Sequence, residues 1–106
     1  MSAWRIEYIP EARDDLRALD NTQRMMVLKA IVKVSGNPLP ASEGGFGKPL
    51  GNRGSSNLTG YLKIKLKRAG LRVVYKILYE NNVMKIIVIS VRDDETVYRI
   101  ASERIK

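Results

Sequence analysis

Between Tyr61 and Lys67 the chain alternates strictly, with Leu62, Ile64 and Leu66 set against Lys63, Lys65 and Lys67. Successive side chains of a strand point to opposite faces, so the segment reads as a β-strand with one apolar and one cationic side. Ala69-Gly70 can turn the chain, and Leu71 to Tyr79 returns with Val73, Tyr75 and Ile77 in step. If that turn has two residues, Lys67 lies opposite Arg72, Lys65 opposite Val74 and Lys63 opposite Lys76. A one-residue slip would bury Arg72 among leucines, an expensive place for an unpaired guanidinium. The expected register therefore gathers Lys63, Lys65, Lys67, Arg72 and Lys76 on one open face. The other face must be covered.

The rest of the chain supplies the cover. Trp4 to Ile9 reads as a short strand, and Pro10 suits the first turn of a helix carrying Ala12, Leu16 and Leu19. Asn21 is placed to cap a second helix with Val27, Ala30, Ile31 and Val34 inward, ending near Ser35 because Gly36 and Pro38 follow. Gly36 to Asn57, rich in Gly, Pro, Ser and Asn, reads as a long loop pinned by Phe46, Pro49 and Leu50. Asn81-Asn82 marks a second tight turn, and Met84 to Val91 is the apolar run of a buried central strand. Asp93 or Asp94 then caps a last helix with Val97, Ile100, Ala101 and Ile105 inward. The expected fold class is α+β, one domain over residues 1–106. Its sheet is twisted, mainly antiparallel and four-stranded, with two N-terminal helices on one face and a short C-terminal helix.

Charge is as localised as the alternation. The formal net charge is +8, yet Gly44 to Tyr79 holds eight cations and no acid. The remaining 70 residues balance 11 cations with 11 acids. A basic segment of this kind is the footprint of a polyanion binder; the bland alternative is a solvated lysine face that aids solubility. Tyr61 and Tyr98 could stack bases, as single-stranded RNA binders do, whereas no strongly basic helix suggests DNA sequence reading. The chain contains no Cys and no His, which excludes thiolate chemistry and the side chain most used near neutral pH. No metal or cofactor is expected. No signal peptide opens the sequence and no apolar run approaches the roughly 20 residues that span a bilayer, so a soluble cytoplasmic protein is expected.

RNA cleavage without His remains chemically open. A 2′-hydroxyl attacks the adjacent phosphate if its proton is removed, the phosphorane charge is neutralised and the leaving oxygen is protonated. A lysine crowded by cations can become a proton carrier, arginine can clamp phosphate, and tyrosine can pass a proton or stack. A nuclease and a non-catalytic RNA-binding module both fit these residues.

The run Gly60-Tyr61-Leu62-Lys63-Ile64-Lys65-Leu66, then Gly70-Leu71-Arg72-Val73-Val74-Tyr75, resembles the central hairpin of the RelE/ParE toxin superfamily. Val88-Ile89-Ser90-Val91-Arg92, Val97-Tyr98 and a helix with Ala101 and Arg104-Ile105 continue the likeness, as do Lys48-Pro49-Leu50 and the opening strand with two helices. The resemblance implies a toxin of a type II toxin–antitoxin pair. On the RelE-like branch it would be a ribosome-dependent endoribonuclease acting on mRNA in the A site; a ParE-like gyrase inhibitor is the alternative. It also implies a cognate antitoxin whose acidic, partly disordered segment covers the basic face or displaces the last helix.

Carried over by position, Lys63 and Lys65 would clamp phosphate and transfer protons, Arg72 and Arg92 would stabilise the phosphorane or leaving group, and Tyr98 would stack on or activate the scissile nucleotide. Lys48, Arg53, Lys67 and Arg68 would contact ribosomal RNA backbone, with Tyr61 and Lys76 as further RNA contacts. Each has a structural alternative: solvated strand lysines, Arg72 paired with Glu80 or Glu43, Arg92 with Asp94 or Glu95, and Tyr98 as a packing tyrosine.

Overall fold

A computed structural model describes residues 4–53, 56–91 and 94–105. Five strands form one sheet: β1 (Arg5–Tyr8), β2 (Lys48–Arg53), β3 (Ser56–Leu66), β4 (Leu71–Leu78) and β5 (Val83–Ser90), in the order β1-β5-β4-β3-β2. β1 runs parallel to β5 and every other neighbouring pair is antiparallel. The α+β class agrees with expectation, but the sheet is mixed and has five strands rather than four.

The additional strand, β2, lies in the segment expected to be loop. Lys-Pro-Leu-Gly-Asn-Arg shows no period-2 signal, yet an edge strand tolerates Pro49 and Gly51, and a shift of register between them marks an irregularity. Residues just before β2 pair among themselves: the Phe46 N–H donates to the Asn37 carbonyl and the Gly47 N–H to the Leu39 carbonyl, both at 3.0 Å. The Tyr75 hydroxyl donates to the Pro38 carbonyl at 2.7 Å. Gly47 passes so close to that hydroxyl and to Leu62 that a Cβ there would collide with both.

Helices α1 (Pro10–Ala18) and α2 (Asn21–Ser35) form the expected hairpin. The cap of α2 is Asp20, one residue before Asn21. Its carboxylate accepts the Gln23 N–H at 2.7 Å, and the Gln23 side chain accepts the Asp20 N–H in return, completing a capping box. A carboxylate also complements the helix N-terminus better than an amide. Arg24 donates to the carbonyls of Leu16, Arg17 and Leu19 around the end of α1, where backbone acceptors lack full helical pairing.

The β3–β4 connection differs from the two-residue turn. Its last pair is Leu66 with Leu71, so residues 67–70 form the turn and Lys65 stands opposite Arg72, Lys63 opposite Val74 and Tyr61 opposite Lys76. Gly70 takes the positive φ, +66°, that this longer turn needs. The slip is two residues, so each side chain keeps its face. Lys67, expected on the strand, is instead in the turn and exposed.

Both faces of the sheet are packed. Leu62, Leu71, Val73, Tyr75, Met84 and Ile86 bury against Ala12 of α1, Leu19 just beyond its end, and Val27, Ile31 and Val34 of α2. On the opposite face Leu50, Val74, Ile87 and Val88 pack under Val97, Tyr98 and Ala101 of α3 (Asp94–Arg104). The cationic face is therefore partly roofed, not open throughout. A bulge makes this possible: Val74 pairs with Val88 and Tyr75 with Ile86, so the extra residue, Ile87, joins the α3 side.

Burial pushes the Tyr75 phenol well above its ordinary value of 10.0, so the folded state holds its proton. Its contribution to stability is complete below about pH 10 and is lost as pH rises beyond that, because the unfolded phenol then ionises. Tyr75→Phe should cost about 1–3 kcal/mol at neutral pH by orphaning the Pro38 carbonyl. It should also shallow the alkaline fall in stability. Urea melts at neutral pH and above pH 10 measure both effects, and parallel alkaline slopes for the two proteins would refute the assignment.

Candidate functional site

The cationic face is built in rows across the strands. Lys48 of β2 lies opposite Lys63 of β3, which faces Val74 and then Val88. In the next row Lys65 opposes Arg72, and Arg72 opposes Ser90. In the row behind, Tyr61 opposes Lys76, which opposes Lys85. Like charges facing each other across strands destabilise a sheet. Aromatic and aliphatic neighbours temper this: the Lys76 ammonium sits 5.5 Å from the centre of the Tyr61 ring, within cation–π range.

Helix α3 brings Tyr98 to the middle row, where Lys63 Nζ donates to its hydroxyl at 2.5 Å. The ammonium is 5.2 Å from the ring centre, the distance expected if it lies in line with the C–O bond. It therefore meets the ring edge, and the contact is a hydrogen bond rather than a cation–π pair. Tyr98 is only 4% exposed, so its ring has no open face for a base, and its hydroxyl is the part that reaches the site.

What holds α3 there is an ion pair from the other side of the sheet. Arg104 Nη1 donates to Asp15 Oδ2 at 2.6 Å and Nη2 to Oδ1 at 3.1 Å. Asp15 Oδ2 also accepts the Ile89 N–H at 3.0 Å, while Arg104 Nη1 donates to the Ile87 carbonyl at 2.9 Å. Hydrogen bonding to Asp15 raises the affinity of Arg104 for its proton, against the opposing effect of burial. The guanidinium is thus fixed by geometry as well as charge.

Of the residues expected from sequence, Lys63, Lys65, Arg72 and Tyr98 come together, and Lys48 stands beside Lys63. Tyr61 and Lys76 are one row away. Lys67 and Arg68 are exposed in the β3–β4 turn, and Arg53 ends β2 opposite Ser56. Arg92 lies outside the described residues, as does Asp93, expected as one possible cap of α3. Three features escaped sequence reasoning: Ser90 beside Arg72, Lys85 behind Lys76, and the Asp15–Arg104 clamp. Lys85 and Ser90 are the polar breaks in the apolar run of β5, a signal that could have been used. The clamp joins residues 89 positions apart and leaves no local trace.

No family model matches the chain. It is 25% identical over 104 residues to a curated Escherichia coli protein described as a putative RelE-like toxin, covering 97% of this chain and 98% of that one. An arginine-to-alanine double mutant of the E. coli toxin RelE, in the free state, superimposes with a TM-score of 0.73 at 26% identity, covering 99% of this chain and 100% of that one. The Mycobacterium tuberculosis toxin–antitoxin complex RelBE2 contains a chain that matches with a TM-score of 0.67 at 26% identity, over 89% of this chain and 97% of its own. In fold and in sequence the chain is thus similar to toxins of the RelE/ParE superfamily. Within it, these similarities lie on the RelE side. No helix among the described residues is long and apolar enough to cross a membrane.

If the clamp seats α3, Arg104→Ala should cost about 2 kcal/mol, the scale of a lost charged hydrogen bond. It should also speed amide exchange in α3 and expose Tyr98 to a fluorescence quencher. Unchanged exchange in α3 with an equally stable fold would show that the apolar contacts alone hold the helix.

Proposed function

We propose that this protein is the toxin of a type II toxin–antitoxin pair, a single-domain cytoplasmic endoribonuclease that cuts mRNA in the ribosomal A site. One observation carries the reading: the Lys63–Tyr98 hydrogen bond lies beside the cross-strand pair of Lys65 and Arg72. The likeness to RelE supports it.

The reaction makes three demands, and these side chains suit each. The scissile phosphate must be held and its developing charge neutralised; Lys65 and Arg72 do this from adjacent strands, the guanidinium taking two oxygens at once. The 2′-hydroxyl must lose its proton as its oxygen bonds to phosphorus, and the 5′-oxygen must gain one as the P–O5′ bond breaks. Of Lys63 and Tyr98, one in its deprotonated form would take the 2′-proton while the other gives a proton to the 5′-oxygen, and their mutual hydrogen bond would then pass a proton back between them. Arg92 would add charge to the leaving side, as the resemblance implies. Lys48, Arg53, Tyr61, Lys67, Arg68 and Lys76 would grip RNA around the cut, mostly through phosphates. With no His in the set, the ribosome must order the substrate, so naked RNA should be cut slowly. RelE has been captured with an antitoxin peptide; by analogy an acidic, partly disordered antitoxin segment would be this protein's partner.

Primer extension on translating ribosomes tests this. The wild-type protein should cut within codons, and Lys65→Ala or Arg72→Ala should slow cutting by about 10²-fold or more with the fold intact by circular dichroism. Message that stays whole while gyrase-linked DNA breaks accumulate would replace the proposal with gyrase inhibition. RNA bound but uncut on ribosomes would leave only a binding module. Rapid cleavage of free RNA would contradict the dependence on the ribosome.

A further inference from the structure

A single-stranded RNA is gripped by aromatic faces as well as by cations, and most aromatic rings here cannot supply one. Tyr75 and Tyr98 are buried, and Tyr61 lies half-buried against Lys76. Trp4 and Tyr8 pack partly into the core under the helices. Tyr79 is exposed, but it follows β4 at the end remote from Arg72 and meets Trp4 edge to face. Phe46 differs. It is 54% exposed and lines a groove of about 520 Å³ between the β3 edge and α2, with Lys33, Lys48, Lys65, Lys67 and Arg68 around it and no carboxylate. The loop that presents it is tied to itself. Besides the bond from the Phe46 N–H to the Asn37 carbonyl, the Asn37 side-chain amide donates to the Gly44 carbonyl at 3.2 Å and the Gly45 N–H to the Pro40 carbonyl at 3.1 Å. A Cβ on Gly45 would overlap the Leu39 backbone. The ring is thus held out by a fixed loop, and the Lys33 ammonium stands 5.9 Å from its centre, at the limit of cation–π contact.

We infer that Phe46 is a base-stacking platform for a nucleotide flanking the cut, and so a residue that sets sequence preference. The inference rests on the reading of the protein as one that works on RNA, and it adds a subsite that the cations alone do not provide. Lys65 carries the connection. It stands opposite Arg72 in the row that would hold the scissile phosphate, and it also lines the groove with Phe46. Lys48 links the row of Lys63 to the groove in the same way. An RNA strand whose scissile phosphate lies on Lys65 and Arg72 therefore reaches the groove by crossing one edge of the sheet, with ammonium groups at the crossing. There its base meets the Phe46 ring, and Lys33 takes the phosphate beside it. Stacking accepts any base but strengthens with ring area, so this position prefers a purine. An acidic polypeptide would satisfy the cations as well; what favours RNA is the open aromatic face beside them.

The probe is a fluorescent 2′-O-methyl oligoadenylate, which lacks the attacking hydroxyl and stays whole. It is compared with an oligouridylate of the same chemistry and with an abasic strand of equal length. Anisotropy should show oligoadenylate bound more tightly than oligouridylate, and both more tightly than the abasic strand. Phe46→Ala should weaken oligoadenylate by about tenfold or more while leaving the abasic strand unchanged. Phe46→Trp should match or exceed the wild type, which separates stacking from a damaged loop. The salt dependence of binding should be the same in all three proteins, because no phosphate contact is removed. On translating ribosomes Phe46→Ala should even out cutting between purines and pyrimidines beside the cleaved bond, raising KM more than it lowers kcat. Equal losses of oligoadenylate and abasic strand, oligoadenylate binding that Phe46→Ala leaves unaltered, or polyglutamate that binds as tightly and loses as much would each overturn the inference. Uncut message on ribosomes would refute the nuclease reading instead, since anisotropy reports the platform without cleavage.

Discussion

The bond on which the rest of this structure depends is the forked ion pair between Asp15 and Arg104. A strand that outruns its neighbour exposes backbone donors and acceptors, and β5 does so beyond Ile86. The carboxylate of α1 accepts one of the exposed N–H groups and the guanidinium of α3 donates to one of the carbonyls, while the two bind each other. One cluster thus satisfies a sheet edge and joins helices that lie on opposite faces. Both side chains are about one-fifth exposed. At that depth the pair escapes the full penalty of burying charge, yet is screened far less than a surface pair.

From this joint the geometry of the catalytic candidates follows. The bulge that turns Ile87 towards α3 gives the helix an apolar seat, with Val74, Val88 and Leu50 around it. Val97, Tyr98 and Ala101 fill the seat, and the Tyr98 hydroxyl emerges beside Lys63. The cationic rows repel one another, so the face would be more stable with fewer lysines. The α3 contacts and the larger core under α1 and α2 offset that cost, which is how a small fold can keep a charged working surface.

Much of this was legible in the sequence because it depends on local periodicity. The alternation from Tyr61 to Lys67 assigns the faces of β3 correctly even though the turn was misjudged, since a two-residue slip preserves side-chain direction. The helices at Pro10 and Asn21 follow from spacing and punctuation. β2 was hidden because its strand character comes from pairing with β3 and not from its own residues, which include a proline and a glycine. Tyr98 could be singled out, but its spacing on a helix could not tell a buried ring with a useful hydroxyl from an exposed stacking platform. The clamp was unreadable for a plainer reason: nothing in a neutral N-terminal stretch says which of its acids meets an arginine at the far end of the chain.

The localisation of charge acquires a sharper meaning in three dimensions. The segment from Gly44 to Tyr79 does not form one patch; apart from Arg53, its cations divide between the rows of the sheet face and the groove at the β3 edge. Lys48 and Lys65 belong to both.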